Sequence, residues 1–205
     1  MEPYSARVTS LDIYLCQHGR TQLNREGRLR GRLDPELDLV GLTEARDLAE
    51  LLGQLSPTRV ISSPLRRAVQ TAEVIAAVAQ VEVELDDRLV DRSYGEHDGA
   101  LVSELAEKYG RPSAAPGVEP TADLVARASA VLKEIAAQDG TGPVIVVTHD
   151  AVIRYVLGAL APGYSPSELV PQRTGAWSLL RWTDGAWKLL AFASKDDPVE
   201  TVLGS

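Results

Sequence analysis

An apolar run meets a group of polar side chains in the stretch Ile13-Tyr14-Leu15-Cys16-Gln17-His18-Gly19-Arg20-Thr21-Gln22-Leu23-Asn24. The run from Leu11 to Cys16 predicts a buried strand, and the polar residues follow at the carboxyl end of that strand. Open α/β sheets bind their ligands at this edge. Glycine directly after the histidine allows a tight turn and a close approach to a ligand. The stretch therefore predicts a ligand site at the end of a buried strand.

Length and composition are those of a globular protein. The chain has 205 residues, of which 44% are apolar and 24% charged, and this length suits one large domain. We expect residues 1–205 to form that single domain. The sequence has no run long enough for a membrane span and no signal-peptide pattern at its start. The lone Cys16 excludes an intramolecular disulfide and suits a reducing compartment, so we expect a cytoplasmic protein.

Charge is unevenly distributed along the chain. The formal net charge of −8 argues against a nucleic-acid partner, because phosphate backbones favour basic surfaces. Seven arginines nevertheless lie in two short segments: Arg20, Arg25, Arg28, Arg30, Arg32, Arg66 and Arg67. A local concentration of arginine in an acidic protein fits a small anionic ligand in a pocket. The alternative for several of these residues is a solvated position in a loop.

The rest of the sequence alternates predicted helices with predicted strands. Strands are expected at 59–62, 81–85 and 143–148, helices at 41–53, 63–76, 101–109, 121–138 and 151–160, and a hairpin at 176–192. Thr43 is expected to cap the first helix, and Pro64 to lie in the first turn of the second. The alternation predicts a three-layer α/β/α sandwich with a mostly parallel sheet, to which the hairpin adds an edge strand.

Two of the three histidines share one setting. His18 and His149 each follow an apolar strand, and parallel strands end at the same edge of a sheet, so the two imidazoles can meet. Two unrelated histidines at strand ends are the alternative. A zinc site is a weaker one, because the ligand spacing of known zinc motifs is absent. We therefore expect neither a metal nor another cofactor.

Four segments carry a resemblance to a known family. They are His18-Gly19-Arg20-Thr21-x-x-Asn24 with Gly31, the stretch 63–72, Arg88-Leu89-Val90-Asp91 with Gly95 and Gly99, and Val147-Thr148-His149 before Ile153-Arg154. Their types and order resemble the histidine phosphatase superfamily, the phosphoglycerate mutase-like proteins, over essentially the whole chain. The resemblance implies a phosphoglycerate mutase-like fold.

The resemblance also implies a covalent mechanism. His18 would attack phosphorus and carry the phosphoryl group as a phosphohistidine, with its other ring nitrogen held by a backbone acceptor, the carbonyl of Gly19. Arg67 would clamp the non-bridging oxygens with its planar fork, and His149 would add a donor.

Other matched residues would bind the substrate. Thr21 and Asn24 would donate neutral hydrogen bonds from the loop. Arg30 and Gly31 match the segment that faces the substrate beyond the phosphate, where Arg30 would bind a second anionic group.

Two carboxylates compete for the role of general acid, which protonates the leaving alkoxide. Asp91 matches the family's glutamate but is one methylene shorter, and Asp150 matches the acid of the superfamily's other branch. We favour Asp91 because the surrounding glycines match its branch better. Each also has a structural alternative: Asp91 pairs with Arg88 or Arg92, and Asp150 caps the following helix. A working acid needs a raised pKa.

Gln17 is the main departure from the family, which usually places arginine before this histidine to contact the phosphate. Glutamine keeps hydrogen-bond donors but loses the charge and the fork. Losing one transition-state donor costs about 10²–10³ in rate, so we expect Gln17 to lower activity rather than abolish it.

The predicted function is metal-independent hydrolysis of a small phosphomonoester. The partner is then a small phosphorylated metabolite, with neither nucleic acid nor membrane involved, and a homodimer is compatible with the sequence. One alternative is a binding or regulatory protein inactivated by Gln17. The other is a phosphoglycerate mutase. The region between Asp91 and His149, short and interrupted by Pro and Gly, disfavours it because mutases of this family usually carry a larger insertion there.

Overall fold

Strands and helices alternate through most of the chain. The computed structural model describes residues 10–138, 142–161, 163–164 and 171–194. The strands are β1 (Leu11–Gln17), β2 (Arg59–Ser62), β3 (Val83–Leu85), β4 (Val144–Thr148), β5 (Trp177–Thr183) and β6 (Ala186–Ser194). The helices are α1 (Gln22–Arg25), α2 (Leu39–Gly53), α3 (Arg66–Ala79), α4 (Val102–Tyr109), α5 (Thr121–Ala137) and α6 (Asp150–Leu160). No helix in these ranges is both long and apolar enough to cross a membrane.

The strands of the described ranges form one mixed sheet in the order β3-β2-β4-β1-β5-β6. The pairs β3–β2, β2–β4 and β4–β1 are parallel, whereas β5 pairs antiparallel with both β1 and β6. The mostly parallel sheet of the predicted fold is confirmed. The hairpin adds an edge strand, as predicted: β5 pairs with β1 over residues 177–182, and β6 forms the edge of the sheet.

Two hydrophobic cores cover the two faces of the sheet. Successive side chains of a strand point to opposite faces, so β1 and β4 supply residues to both cores. Leu15 and Val146 pack in the core formed with α5 and α6, whereas Cys16 and Val147 pack in the core formed with α2 and α3. Burial on both faces explains why the centre of each strand is an uninterrupted apolar run, residues 13–16 in β1 and 144–147 in β4. The result is the three-layer α/β/α sandwich.

Helix α2 begins earlier than the sequence predicts. Its N-cap is Asp38, whose carboxylate accepts a hydrogen bond of 2.9 Å from the backbone N–H of Gly41. Thr43, the expected cap, lies inside the helix and donates to the carbonyl of Leu39. Leu39 is 84% exposed. The first turn therefore lacks the buried apolar face that marks a helix in a sequence.

Helix α3 begins later than predicted, at Arg66 rather than at Ser63. The backbone N–H of Ser63 still bonds the carbonyl of Val147, at 3.0 Å, so the chain continues β2 for one residue beyond its end. Pro64 consequently precedes the helix instead of opening it. This extension carries Ser63 to the edge of the sheet where β1 and β4 end.

Two glycines bring α2 against the loop that follows β1. A Cβ atom on Gly19 would overlap the carbonyl oxygen of Gly41, and a Cβ on Gly41 would overlap the carbonyl of Arg20. The backbone N–H of Gly19 also donates to the Thr71 hydroxyl of α3, at 3.0 Å. Contact between two backbones thus fixes the loop of His18, which requires glycine at both positions.

Candidate active site

The two histidines meet because β1 and β4 end at the same level. In the parallel pair, Gln17 lies opposite Thr148, and His18 and His149 are the next residues. The backbone N–H of His18 donates to the carbonyl of Thr148 at 3.1 Å, which continues the ladder by one step. The two ring centroids are 5.1 Å apart, and both side chains are fully buried.

Two contacts define the tautomer of His18. Its Nε2 lies 3.2 Å from Nε of Arg67, which can only donate, so Nε2 is the acceptor. Its Nδ1 lies 2.7 Å from the carbonyl oxygen of Gly19 and therefore carries the proton. Burial, reinforced by the nearby charges of Arg67 and Arg30, holds the pKa of His18 well below its usual value. The ring is thus neutral, with its Nε2 lone pair directed at the guanidinium.

Arg67 is buried at the amino-terminal end of α3 and connects several parts of the site. It donates to the carbonyls of Leu33 and Gly31, at 2.8 and 3.1 Å, and to the Asp91 carboxylate at 3.2 Å. Gly31 has a positive φ of 47°, and a Cβ there would overlap the Asp98 carboxylate. The structure thus places Gly31 behind Arg67, as a backbone acceptor that orients the guanidinium.

His149 keeps one ring nitrogen unpaired. Its Nε2 lies 2.8 Å from the Ser63 hydroxyl. Its Nδ1 is buried without a hydrogen-bond partner in the described ranges, 3.9 Å from the Asp91 carboxylate. Burial, with Arg67 and His18 nearby, holds the pKa of His149 well below normal. A buried polar atom without a partner is costly, and such atoms are often reserved for a ligand.

Asp91 is brought into the site and Asp150 is only near it. Asp91 is buried and accepts from Arg67 and from the backbone N–H of Arg92, the latter at 2.9 Å. Burial raises its pKa despite the opposing effects of Arg67 and Arg30. Desolvation therefore favours the protonated carboxyl, the form that a general acid needs.

Asp150 is the first residue of α6, and His149 occupies the N-cap, so Asp150 does not cap this helix. Its carboxylate accepts from the Arg154 guanidinium, with a shortest distance of 2.8 Å, and from the backbone N–H of Gln172, also at 2.8 Å. Several strong donors already surround this carboxylate. Asp150 is therefore arranged as an ion-pair partner.

Thr21 and Asn24 form the cap of helix α1. The amide oxygen of Asn24 accepts from the backbone N–H and the hydroxyl of Thr21, at 3.1 and 2.7 Å. The Thr21 hydroxyl is fully buried and donates to this amide. Asn24 also lines a large cleft beside the histidines. Of the two predicted donors, the structure therefore places Asn24 against the space open to a ligand.

The cleft beside the histidines has a volume of about 890 Å³. Its wall contains four predicted residues, Gln17, Asn24, Arg30 and Asp150. His18, Arg67, Asp91 and His149 lie behind this wall and are almost completely shielded from solvent. The Nε atom of Arg30 is buried with no hydrogen-bond partner among the described residues. A ligand reaches His18 only when side chains of the wall move.

The side chain of Gln17 is hydrogen-bonded to the backbone of residues 172–173. Its side-chain amide faces the carbonyl oxygens of Gln172 and Arg173, and its nitrogen donates to them at 2.9 and 3.3 Å. The same segment is tied to α2, where the Thr174 hydroxyl donates to Glu44 at 3.0 Å. Position 17, where the resemblance implies arginine, thus carries a glutamine whose side chain holds residues 172–174 against the site.

Sequence reasoning missed three polar contacts of the site. Ser63 and Thr71 lie in the matched stretch 63–72, so the motif offered a signal but no role. Gln172, whose backbone N–H binds Asp150, lies outside every matched segment. In the part of the chain that the structure describes, no three His, Cys, Asp or Glu side chains come together as a metal site.

The family follows from the match of its sequence model to most of the chain. The model described as histidine phosphatase superfamily, branch 1, matches residues 13–195. The chain belongs to this superfamily. The matched range contains both histidines, Arg67 and Asp91, so the predicted family and its phosphoglycerate mutase-like fold are confirmed.

Relatives of the histidine phosphatase superfamily include named enzymes. The glucosyl-3-phosphoglycerate phosphatase of Mycobacterium tuberculosis is 28% identical over 90% of this chain and 97% of its own length. The metal-independent phosphoserine phosphatase of Arabidopsis thaliana is 32% identical over 84% of this chain and 81% of its own. The native structure of mycobacterial glucosyl-3-phosphoglycerate phosphatase gives a TM-score of 0.82 at 25% identity, covering 91% and 100% of the two chains. They confirm the predicted enzyme class, a phosphoric monoester hydrolase.

Both buried histidines should stay neutral in mildly acidic solution. At pH 6 we expect ¹⁵N NMR of the folded protein to show neutral rings for His18 and His149, with the His18 proton on Nδ1, because burial lowers both pKa values. In urea the same rings should titrate near about 6.5. The unfolded chain therefore takes up these protons first, and this contribution to stability falls as the pH drops below that value. Titration of either ring near 6.5 in the folded protein would contradict the assignment.

Proposed function

We propose that the chain hydrolyses a small phosphomonoester through a phosphohistidine on His18. The observation that carries this proposal is the convergence of His18, His149 and Arg67 at one buried point, with Asp91 beside them. Two neutral imidazoles and two guanidiniums, Arg67 and Arg30, form a positive site for a tetrahedral anion.

In the first step Nε2 of His18 attacks phosphorus, and the bond from phosphorus to the ester oxygen breaks. Arg67 redirects its Nε–H from the imidazole to a non-bridging oxygen, so the nucleophile is released as the anion binds. The Nδ1–H of His18 stays on the Gly19 carbonyl, which stabilises the positive charge that develops on the ring. Nδ1 of His149 is the group available to a second oxygen. Asp91 gives its proton to the departing alkoxide.

In the second step the phosphoryl group passes to water. Asp91, now a carboxylate, takes a proton from the water as the oxygen attacks phosphorus. The bond from phosphorus to Nε2 breaks, inorganic phosphate leaves, and His18 returns to its neutral form. Asp91 thereby ends the cycle protonated, as it began.

The surroundings of the two carboxyl groups favour Asp91 over Asp150 as the general acid. Burial raises the pKa of Asp91, whereas Asp150 is held by the Arg154 guanidinium and the Gln172 N–H. Arg30 lines the cleft, and its buried Nε has no hydrogen-bond partner among the described residues, so it is the candidate for binding a second anionic group of the substrate. Two further expectations stay predictions: a homodimer, and a cytoplasmic location, which the buried free thiol of Cys16 fits.

A binding or regulatory protein is the second candidate function, because of Gln17. Glutamine carries no charge, and the carbonyls of Gln172 and Arg173 already accept hydrogen bonds from its amide nitrogen, which leaves this donor occupied. The remaining guanidinium of Arg67 and both histidines still favour an anion. Weak binding without turnover is the outcome expected if the charge at position 17 is indispensable.

Replacing the nucleophile should abolish turnover and the covalent intermediate. We expect His18→Ala to lower kcat for p-nitrophenyl phosphate by about 10⁴-fold or more, because no other group accepts the phosphoryl unit. Rapid quenching of the unmodified enzyme with ³²P-labelled phosphoserine should yield an acid-labile, alkali-stable phosphoenzyme that the variant lacks. Unchanged hydrolysis by His18→Ala would refute the assignment. Exchange between phosphoglycerate isomers without free phosphate would identify a mutase.

The general acid is identified by the leaving group. The measured quantity is kcat/KM, which reports formation of the phosphoenzyme and not its hydrolysis, a step common to all esters. We expect Asp91→Asn to lower kcat/KM for glycerol 2-phosphate by about 10²–10⁴ but to change that for p-nitrophenyl phosphate little, because nitrophenolate leaves unprotonated. For glycerol 2-phosphate, kcat/KM of the unmodified enzyme should fall as the pH rises through the raised pKa of Asp91. Asp150→Asn is the matched control, with similar small effects on both esters. If Asp150→Asn selectively lowers the rate for glycerol 2-phosphate and Asp91→Asn does not, the general acid is Asp150.

Restoring arginine at position 17 separates the two candidate functions. If the chain is a weakened enzyme, Gln17→Arg should raise kcat for p-nitrophenyl phosphate by up to about 10²–10³ from a measurable starting rate. Gln17→Met, which removes the amide without adding charge, is the control and should not raise kcat. Absence of turnover in the unmodified chain, with turnover in Gln17→Arg, would favour the binding protein.

A further inference from the structure

An arginine outside the catalytic cluster grips the backbone that carries Asp91. Arg127 projects from α5, and its side chain is only 18% exposed. Its Nη1 donates to the carbonyls of Arg88 and Val90, both at 2.6 Å, and its Nη2 donates to the carbonyl of Asp91 at 3.2 Å. One guanidinium thus holds three carbonyls within four consecutive residues.

Glu119 completes the grip from the other side of Asp91. Its carboxylate receives two hydrogen bonds from Arg127, at 2.7 and 3.0 Å, and one from the backbone N–H of Ser93 at 3.1 Å. The backbone N–H of Glu119 also donates to the carbonyl of Ser93, at 2.8 Å. The ion pair therefore fixes the chain both before and after Asp91.

The segment needs such support because it has little regular structure. Between β3 and α4 it contains two short 3₁₀ turns, Asp87–Leu89 and Gly95–His97, and no ladder pairs the backbone of Asp91 to the sheet. A proton donor must lie within hydrogen-bond reach of the leaving oxygen, and a displacement of 1 Å is enough to slow the reaction. The carboxyl of Asp91 is only as well placed as the backbone beneath it.

We propose that Arg127, held by Glu119, is a positioning residue that fixes Asp91 for proton transfer to the leaving group. The proposal rests on the proposed function, in which Asp91 is the general acid. In the described ranges, the Arg127 side chain donates hydrogen bonds to main-chain carbonyls and to Glu119, and to no side chain predicted to bind the substrate. Its effect on catalysis therefore runs through the geometry of Asp91.

The informative variant is Arg127→Lys, which keeps the positive charge but loses the planar fork that reaches three carbonyls and a carboxylate together. We measure kcat/KM, which reports formation of the phosphoenzyme, for glycerol 2-phosphate, whose alkoxide needs a proton, and for p-nitrophenyl phosphate, whose leaving group does not. The variant should lower the first at least tenfold and the second less than threefold. A purely structural role would lower both rates alike, because loss of folded enzyme does not depend on the ester.

Arg88→Lys is the matched control. Arg88 lies in the same segment and pairs with Glu134 and Asp86 at the surface, at 2.7 and 2.8 Å, but its side chain does not hold the backbone of Asp91. We expect it to change both rates less than twofold. Glu119→Gln is the second test variant: it weakens the grip with little loss of volume and should give the same selectivity as Arg127→Lys, in a smaller degree. Thermal melting followed by circular dichroism selects the variants that are folded.

A double-mutant cycle separates the positioning role of Arg127 from the assignment of Asp91 as the general acid. In an Asp91→Asn background, Arg127→Lys should lower kcat/KM for glycerol 2-phosphate less than twofold further, since there is no acid left to position. The positioning role is overturned if Arg127→Lys and Glu119→Gln lower the rates for both esters equally, or if the effects of Arg127→Lys and Asp91→Asn are fully additive. If Asp91→Asn by itself lowers the rates for both esters equally, the assignment of the acid is overturned instead.

Discussion

The hydrogen-bond ladder between β1 and β4 is the constraint on which the rest of the site depends. Because the two strands are parallel and end opposite one another, the residues that follow them are held side by side. A shift of one residue along either strand would turn its side chains to the opposite face of the sheet. Burial on both faces prevents that shift. The distance between the imidazoles is therefore a property of the hydrophobic core, although neither ring belongs to it.

Burial shifts the pKa values of the two kinds of group in the site in opposite directions, and each direction suits a different role. Removing water disfavours a charged imidazole and a charged carboxylate alike. It therefore lowers the pKa of His18 and raises that of Asp91, which are the directions that the proposed nucleophile and the proposed acid need. Arg67 supplies the compensating interactions, through hydrogen bonds to His18, Asp91 and two backbone carbonyls. One buried environment thus shifts two pKa values in opposite directions, for two residues that bond the same guanidinium.

The sequence predicts the features that follow from apolar periodicity. The uninterrupted apolar runs of β1 and β4 indicate central parallel strands, and from these the meeting of His18 and His149 follows. The start of α2 could not be predicted, because Leu39 is exposed and leaves no apolar pattern in the first turn. The surroundings of Gln17 were equally hidden, because they depend on irregular backbone that has no periodicity. Arg127 looks in the sequence like any charged residue of an amphipathic helix, and only its contacts distinguish it.

The hydrogen bond from Arg67 to Nε2 has a consequence for the enzyme between turnovers. The lone pair of the proposed nucleophile accepts a hydrogen bond from a cation, and the ring is buried. Electrophiles that carry no negative charge offer the guanidinium nothing in exchange and meet an unreactive ring. In the proposed mechanism, an anionic ester attracts the guanidinium away and uncovers the nucleophile in the same movement. By that mechanism the charge of the substrate switches on the reactivity of the ring, which protects the histidine from chance acylation or alkylation.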